Sequence, residues 1–508
     1  MNHKFKIIYI ILAIVLALFQ PGCQKLAVDN PNDPDTEKAL ANPDDVESLM
    51  GGTYLTWYQG NLYESALPFS TLADELTSPW GNWGMGEMSR EPRREYENSS
   101  TNYNLPMIAR PWYAMYEVLS TAKDVWELLE DGIQIGENGA NNLRMRAFIR
   151  FMQGTAHGEL ALIFDKGFIV DENTDLSSTP VFKTYSEIMV AAIGYLEQCI
   201  EICQNNSFEL PDTWIYGVPA TNEELAQIAH SYLARYLAGV ARTPEERAAV
   251  DWAKVIQHAD AGITSEFIIA SDGNFWFDGA KYFGSRQDWC RADYKVIGHA
   301  DTSGAFQEWL AAEPADRAPF IIHTADRRIA GADSTTAPGT DFSYNARYPF
   351  ETYRASWYRS RRYIDHYFSG ATSPVSIFNP AELRLLKAEG LYRQSDFAGA
   401  AEIVNETRVN RGGLKPINAS DSALLDKIKY EKRIEIFLSF GRLMWIERRG
   451  WGELGAGAPL QFPIPATELE VLLEEIYTFG GDGGDWAAKS AAEKHWSRLV
   501  MNPRKITD

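Results

Sequence analysis

Apolar residues in this chain recur mainly at helical spacing. Leu143, Met145, Phe148, Ile149, Met152, Ala156, Leu160 and Ile163 fall along one stripe of a helix. Thr184-Tyr185-Ser186-Glu187 has the form of a capping box, in which hydroxyl and carboxylate each satisfy an N–H of the first turn. It predicts a helix running towards Cys203. Thr221 to Glu224 repeats the signal ahead of Leu225, Ile228, Tyr232 and Tyr236. Thr243-Pro244-Glu245-Glu246 predicts a helix carrying Trp252, Val255, Ala259 and Ile263, with proline where its missing N–H costs nothing. Asn379-Pro380-Ala381-Glu382 is a further start of this kind.

These helices are expected in antiparallel pairs. Leu383, Leu386, Ala388 and Leu391 precede a break at Ser395-Asp396, followed by Phe397, Ala400, Ala401 and Val404. The pattern is that of one tetratricopeptide unit, whose small residues let two helices approach closely. Residues 221–264 and 143–203 form two more candidate pairs. The fold class is therefore mostly α, with tetratricopeptide-like helix pairs as a scaffold. Residues 57–112, 268–300 and 314–378 interrupt it as long irregular insertions rich in Gly, Pro, Asp and aromatics. Insertions of that length in a compact protein usually carry function.

The amino terminus has a different rhythm. Lys4 and Lys6 precede an apolar run from Ile7 to Phe19, which ends at Gln20-Pro21-Gly22-Cys23. The run is too short for a membrane-spanning helix and suits the core of a secretory signal. A cysteine after a small residue at that point marks Cys23 as the expected lipidation site. Residues 1–22 are then a lipoprotein signal peptide, and acyl chains on Cys23 tether the chain to a membrane. Residues 23–43, rich in Asp, Asn and Pro, read as an extended tether. Residues 44–508 are left for one folded domain.

The formal charge of −21 disfavours nucleic acid, which needs clustered Lys and Arg, and points to a neutral ligand. Cys199 and Cys203 lie four apart on one helix face without a matching His or Cys cluster, so they read as core residues rather than metal ligands. No metal site and no cofactor are expected. The 15 Trp, 24 Tyr and 24 Phe matter more, because many sit in the non-periodic insertions.

The carboxy-terminal third resembles a known family. Asn405-Glu406-Thr407-Arg408-Val409-Asn410-Arg411-Gly412-Gly413-Leu414 is similar to the "N-x-x-R-x-R-x-G-L" segment of the SusD/RagB outer-membrane nutrient-binding lipoproteins. Ile428 to Ile436 resembles their "I-x-x-E-R-R-x-E-L" helix, and Phe462-Pro463-Ile464-Pro465 their closing "P-I-P" turn. Leu72-Ala73-Asp74-Glu75 resembles an early "x-x-D-E" element. The chain departs from the pattern at Phe440, at Glu447, and in Phe164 to Phe168, where the usual proline is missing. Glu431, Arg433, Glu435 and Arg442 read as ion-pairing residues of the scaffold.

The resemblance implies a lipid-anchored protein of the outer membrane, facing the cell exterior. Such a protein binds a nutrient oligomer and delivers it to a SusC-like TonB-dependent transporter, with no bond broken. A glycan is the favoured ligand. A peptide, as for RagB-like uptake, is the alternative, and an anchored helical glycosidase a more distant one. Sugar rings present C–H faces that suit Trp and Tyr, and hydroxyls that need Asn or Arg. Three segments offer that mixture. The first holds Trp80, Asn82 and Trp83; the second Trp276, Trp289 and Arg291; the third Tyr353 and Trp357.

No Gly-x-Ser-x-Gly elbow, His-Glu-x-x-His or Gly-Lys dipeptide occurs, so the common catalytic and phosphate-binding motifs are missing. Asp74-Glu75 is the one adjacent carboxylate pair weighed as a glycosidase pair. Gly480 to Asp485 lacks the spacing of a calcium loop and reads as a turn.

Overall fold

The computed structural model describes residues 42–77, 81–175, 178, 180–332, 334–346 and 356–481. Its longer helices are, in chain order, α1 (Pro43–Leu62), α2 (Pro106–Glu130), α3 (Asn142–Ile163), α4 (Tyr185–Asn205) and α5 (Asn222–Gly239). They continue with α6 (Trp252–Ala261), α7 (Pro380–Arg393), α8 (Phe397–Asn410), α9 (Leu424–Glu435) and α10 (Leu443–Trp451). From α1 to α9 each helix packs on the next in line. The array is thus a run of antiparallel neighbours, including the three pairs expected from the sequence. α6 meets α7 although residues 262–379 lie between them, so that whole stretch is an excursion from a continuous scaffold.

Local chemistry explains the starts. Both capping boxes form: Thr184 Oγ1 accepts from Glu187 N while Glu187 accepts from Thr184 N, and Thr221 and Glu224 do the same. Asn379 caps α7 through Ala381 N, and Ser395 takes a left-handed φ of 68° to turn α7 into α8. One start differs from the sequence reading. Thr243 opens only a short helix, Pro244–Ala248, and Asp251 caps α6 separately through Lys254 N. The break lets fully buried Arg247 reach Glu389 at 2.7 Å and Glu447 at 2.8 Å, while Trp252 Nε1 donates to the Arg247 carbonyl.

The first insertion is also smaller than its sequence suggests. Residues 57–62 complete α1, residues 106–112 begin α2, and a helix spans Ala66–Leu72. α1 hides its period because it is buried on several sides, through Met50, Tyr54, Trp57 and Tyr58. α2 hides its own because Pro111 lies inside it.

Small residues set the helix spacing. A Cβ on Gly154 would lie 2.6 Å from Leu196, and one on Gly158 would lie 2.1 Å from the Tyr236 ring. The motif-bearing carboxy-terminal helices are held by buried ion pairs across elements. Arg328 bonds Asp326, Glu431 and Glu435, and Lys432 bonds Glu389 and Glu447. Arg433 pairs with Glu453, and Arg442 with Glu159 at 2.5 Å. Cys199 and Cys203 are buried and unbridged.

Among the described residues, three two-stranded antiparallel sheets organise the irregular parts. β1 (Lys166–Gly167) pairs with β2 (Lys183–Thr184). β3 (Phe267–Ile269) pairs with β6 (Val375–Phe378), tying the two ends of the long excursion together. Between them, β4 (Phe342–Tyr344) pairs with β5 (Tyr358–Ser360). Among the described residues no helix is long and apolar enough to cross a membrane.

Candidate functional site

Two distant loops meet through backbone pairing. Leu76 and Ala292 form an antiparallel bridge, Thr77 N donates to the Arg291 carbonyl at 2.8 Å, and Arg291 N donates to Thr77 Oγ1 at 3.2 Å. The turn after residue 81 therefore stands beside the loop carrying Trp289. Gly81, Trp83 and Gly84 all adopt positive φ, at 74°, 51° and 88°. That conformation suits glycine and costs a side chain about 1–2 kcal/mol. Trp83 is held in it by aromatic contacts: its ring centroid lies 5.3 Å from that of Phe283 and 5.2 Å from that of Trp289. Phe283 and Trp289 are themselves 4.0 Å apart in a T-shaped pair.

The supports of this cluster are well defined. Phe283 belongs to a short helix, Gly279–Ser285, capped by Asp278, whose carboxylate also takes the Lys281 ammonium at 2.5 Å. Arg291 is buried and spends its guanidinium on the carbonyls of Gln287, at 2.6 Å, and Cys290, at 3.1 Å. It positions the Trp289 loop and does not reach solvent. Arg359 Nη1 donates to the Ser285 carbonyl at 3.1 Å, bringing the β4–β5 hairpin alongside. Trp357, on that hairpin, is half-buried against Tyr344 at 5.8 Å.

Trp83 and Phe283 are half-buried, Trp289 lies beneath them, and Asn82 is exposed at the edge. Tyr282 extends the aromatic surface to Tyr367 at 5.5 Å, and Tyr367 touches Phe368, which is 65% exposed. Arg286 and Asp288 form a two-point ion pair at 3.0 and 3.1 Å on the rim. Their hydrogen bonds hold Asp288 below and Arg286 above the ordinary range, so both stay charged and offset each other. The surface thus offers flat apolar faces, an amide and a self-neutralised pair.

The structure brings Asn82, Trp83 and Trp289 together, with Arg291 underneath and Trp357 at the neighbouring hairpin. It leaves Trp276 apart. Trp276 is buried over α1, 5.1 Å from Tyr58 and 5.5 Å from Tyr216. Trp80, Tyr353 and Cys23 lie outside the described residues. Phe283, Arg286, Asp288, Tyr367 and Phe368 were not singled out from the sequence. The local signal that could have found Phe283 is the doublet Tyr282-Phe283 in a glycine-flanked stretch.

Asp74 and Glu75 are both buried and engaged elsewhere. Asp74 bonds Arg93, Lys295 and Arg448 at 2.5, 3.3 and 3.1 Å, and these cations hold its carboxyl well below the usual range. Glu75 accepts from Leu438 N at 2.7 Å, and burial pushes its carboxyl up to about 7. Among the described residues no group of three or more His, Cys, Asp or Glu is placed to hold a metal ion.

This architecture is the SusD-like fold. A SusD-like protein from Bacteroides fragilis NCTC 9343 matches with a TM-score of 0.55 at 14% identity, over 91% of this chain and 96% of its own. SusD superfamily proteins from Bacteroides vulgatus ATCC 8482 and Bacteroides thetaiotaomicron VPI-5482 each give 0.53, at 13% and 12% identity. The matches cover 82% and 91% of this chain, and 89% and 98% of theirs. No family model matches the sequence, and no curated protein matches it as a relative.

Proposed function

We propose that this protein captures an uncharged oligosaccharide at the cell surface and delivers it to a SusC-like TonB-dependent transporter of the outer membrane, breaking no bond. The observation that carries the reading is the Trp83–Phe283–Trp289 cluster, which keeps the Trp83 and Phe283 rings half-exposed over buried Trp289, with Trp83 on a strained turn. A turn that keeps a tryptophan half-exposed at positive φ forgoes part of that ring's burial, so its use is sought in a ligand. The neutralised Arg286–Asp288 pair and the net charge of −21 favour a neutral partner over a polyanion. The SusD-like fold and the amino-terminal signal ending at Cys23 support an anchored binding protein.

Cys23 carries the acyl anchor in this reading. The test is calorimetry of the mature chain against neutral glycans and against peptides. Heat with glycans is expected. Heat with peptides alone would move the ligand to the RagB-like class, and release of reducing ends from a glycan would replace binding by hydrolysis. Cys23→Ser is expected to shift the protein from the membrane fraction to the soluble one.

A further inference from the structure

The aromatic surface does not stop at the platform. α1 and α2 flank a cleft of about 750 Å³, roofed by residues 274 and 275. A Cβ on Gly60 would lie 2.7 Å from that of Ala114, so glycine lets the two helices close the cleft floor. Phe275 stands over the cleft 57% exposed, and Tyr113 lies across it 44% exposed. Phe275 is pinned outward: Asp272 Oδ1 accepts from Asn274 N at 2.8 Å and from Trp276 N at 2.9 Å, which buries Trp276 and turns its neighbour to solvent. Gln59 Nε2 fixes the roof by donating to the Phe275 carbonyl at 3.2 Å.

A chain of rings links the two places. Tyr63 lines the cleft and meets Phe277 at 5.3 Å; Phe277 meets Phe283 at 6.0 Å, and Phe283 meets Trp83 at 5.3 Å. Three successive ring contacts therefore join cleft and platform. Of the charged groups at the cleft wall, Arg110 pairs with Glu64 at 3.1 Å, and Glu117 accepts from Thr56 Oγ1 at 3.5 Å. Cleft and platform share aromatic faces and amides: Tyr63, Tyr113, Phe275, Gln59 and Asn274 line the cleft as Trp83, Phe283 and Asn82 form the platform.

We infer that the cleft between α1 and α2 is a second subsite for the same ligand, so that the protein selects chains long enough to occupy platform and cleft together. This rests on the proposed function, because the occupant of the cleft is the far end of the neutral oligosaccharide held at Trp83. Engagement of the second subsite is intramolecular once the first is filled, which raises affinity for long chains without a new contact at the platform.

The probe is an array of neutral glycans graded from disaccharide to decasaccharide, applied to the full chain and to two variants. Tyr113→Ala/Phe275→Ala removes two exposed rings and, from the scaffold, the Tyr113 hydroxyl contact with Thr467 at 2.9 Å. It is expected to lose roughly tenfold or more in affinity for the long members while leaving the short ones unchanged. Trp83→Ala is expected to weaken every length. If the double variant holds long chains as well as the parent while Trp83→Ala weakens every length, the cleft has no part and the platform stands. If the parent retains no neutral glycan of any length, both ideas fall. The parent also gives a reading without variants: affinity that does not rise with length overturns the second subsite.

Discussion

Trp83 meets Trp289 edge to face with ring centroids 5.2 Å apart, while its own backbone sits at a φ of 51°. Contact and strain oppose each other here, and the contact keeps the half-exposed indole in place. Trp83→Ala removes the exposed aromatic face and little of the core. Affinity for a neutral glycan should fall about two- to tenfold, the worth of one aromatic contact of about 0.5–1.5 kcal/mol. The thermal midpoint should hardly move. Titration calorimetry with parallel thermal melts separates the two effects.

Trp276 should behave in the opposite way. Its ring fills the space between Tyr54, Tyr58 and Tyr216, and its backbone N–H is engaged by Asp272. Trp276→Ala leaves a cavity over α1, at a cost of about 3–5 kcal/mol. Denaturant unfolding should show that loss, while binding per folded molecule to the Trp83 platform stays near the parent value.

The contrast between these two tryptophans shows how far sequence reached. Capping boxes at Thr184 and Thr221 were legible because their chemistry is local, and both form. The α7–α8 pair was legible through its small residues and the break at Ser395. Trp83 and Trp276 both lie in irregular segments, and nothing local separates an outward indole from an inward one. What decides is pairing across the fold: the Leu76–Ala292 bridge for one, the stacked tyrosines of α1 and Tyr216 for the other. The ion pairs of Glu431 and Glu435 were legible as a type. Their main partner, Arg328, lies about a hundred residues upstream in an insertion and could not be read from helical spacing.

Helix spacing provides a sharper test of the scaffold. A Cβ on Gly158 would sit 2.1 Å from the Tyr236 ring, whose hydroxyl donates to Glu159 at 3.0 Å and cannot simply swing away. Gly158→Ala should therefore overpack the α3–α5 contact and cost about 1–3 kcal/mol. Gly194, inside α4, has nothing within 4 Å of its would-be Cβ. There the same substitution should stabilise the chain by about 0.5–1 kcal/mol through helix propensity alone. Urea midpoints of the two variants should move in opposite directions from the parent.

Glu75 predicts a pH dependence of stability. Burial raises its carboxyl from 4.5 to about 7, despite the hydrogen bond from Leu438 N and the nearby Lys281 ammonium. Between those values the folded chain holds a proton that the unfolded chain has released. The stability contribution is therefore complete below pH 4.5 and is lost as pH rises through about 7. Buried His157, lowered from 6.5 to about 4, acts in the opposite sense: its contribution is complete above pH 6.5 and lost as pH falls towards 4. The two partly cancel in the parent, so the effect of Glu75 has to be read as a difference. Gln at position 75 still accepts from Leu438 N and carries no proton to lose. Relative to the parent, Glu75→Gln should gain stability by roughly 1 kcal/mol per pH unit as pH rises across that window. Chemical denaturation of both chains at pH 5 and pH 8 measures it, and a constant difference between them would show that the buried carboxyl titrates alike in the folded and unfolded chain.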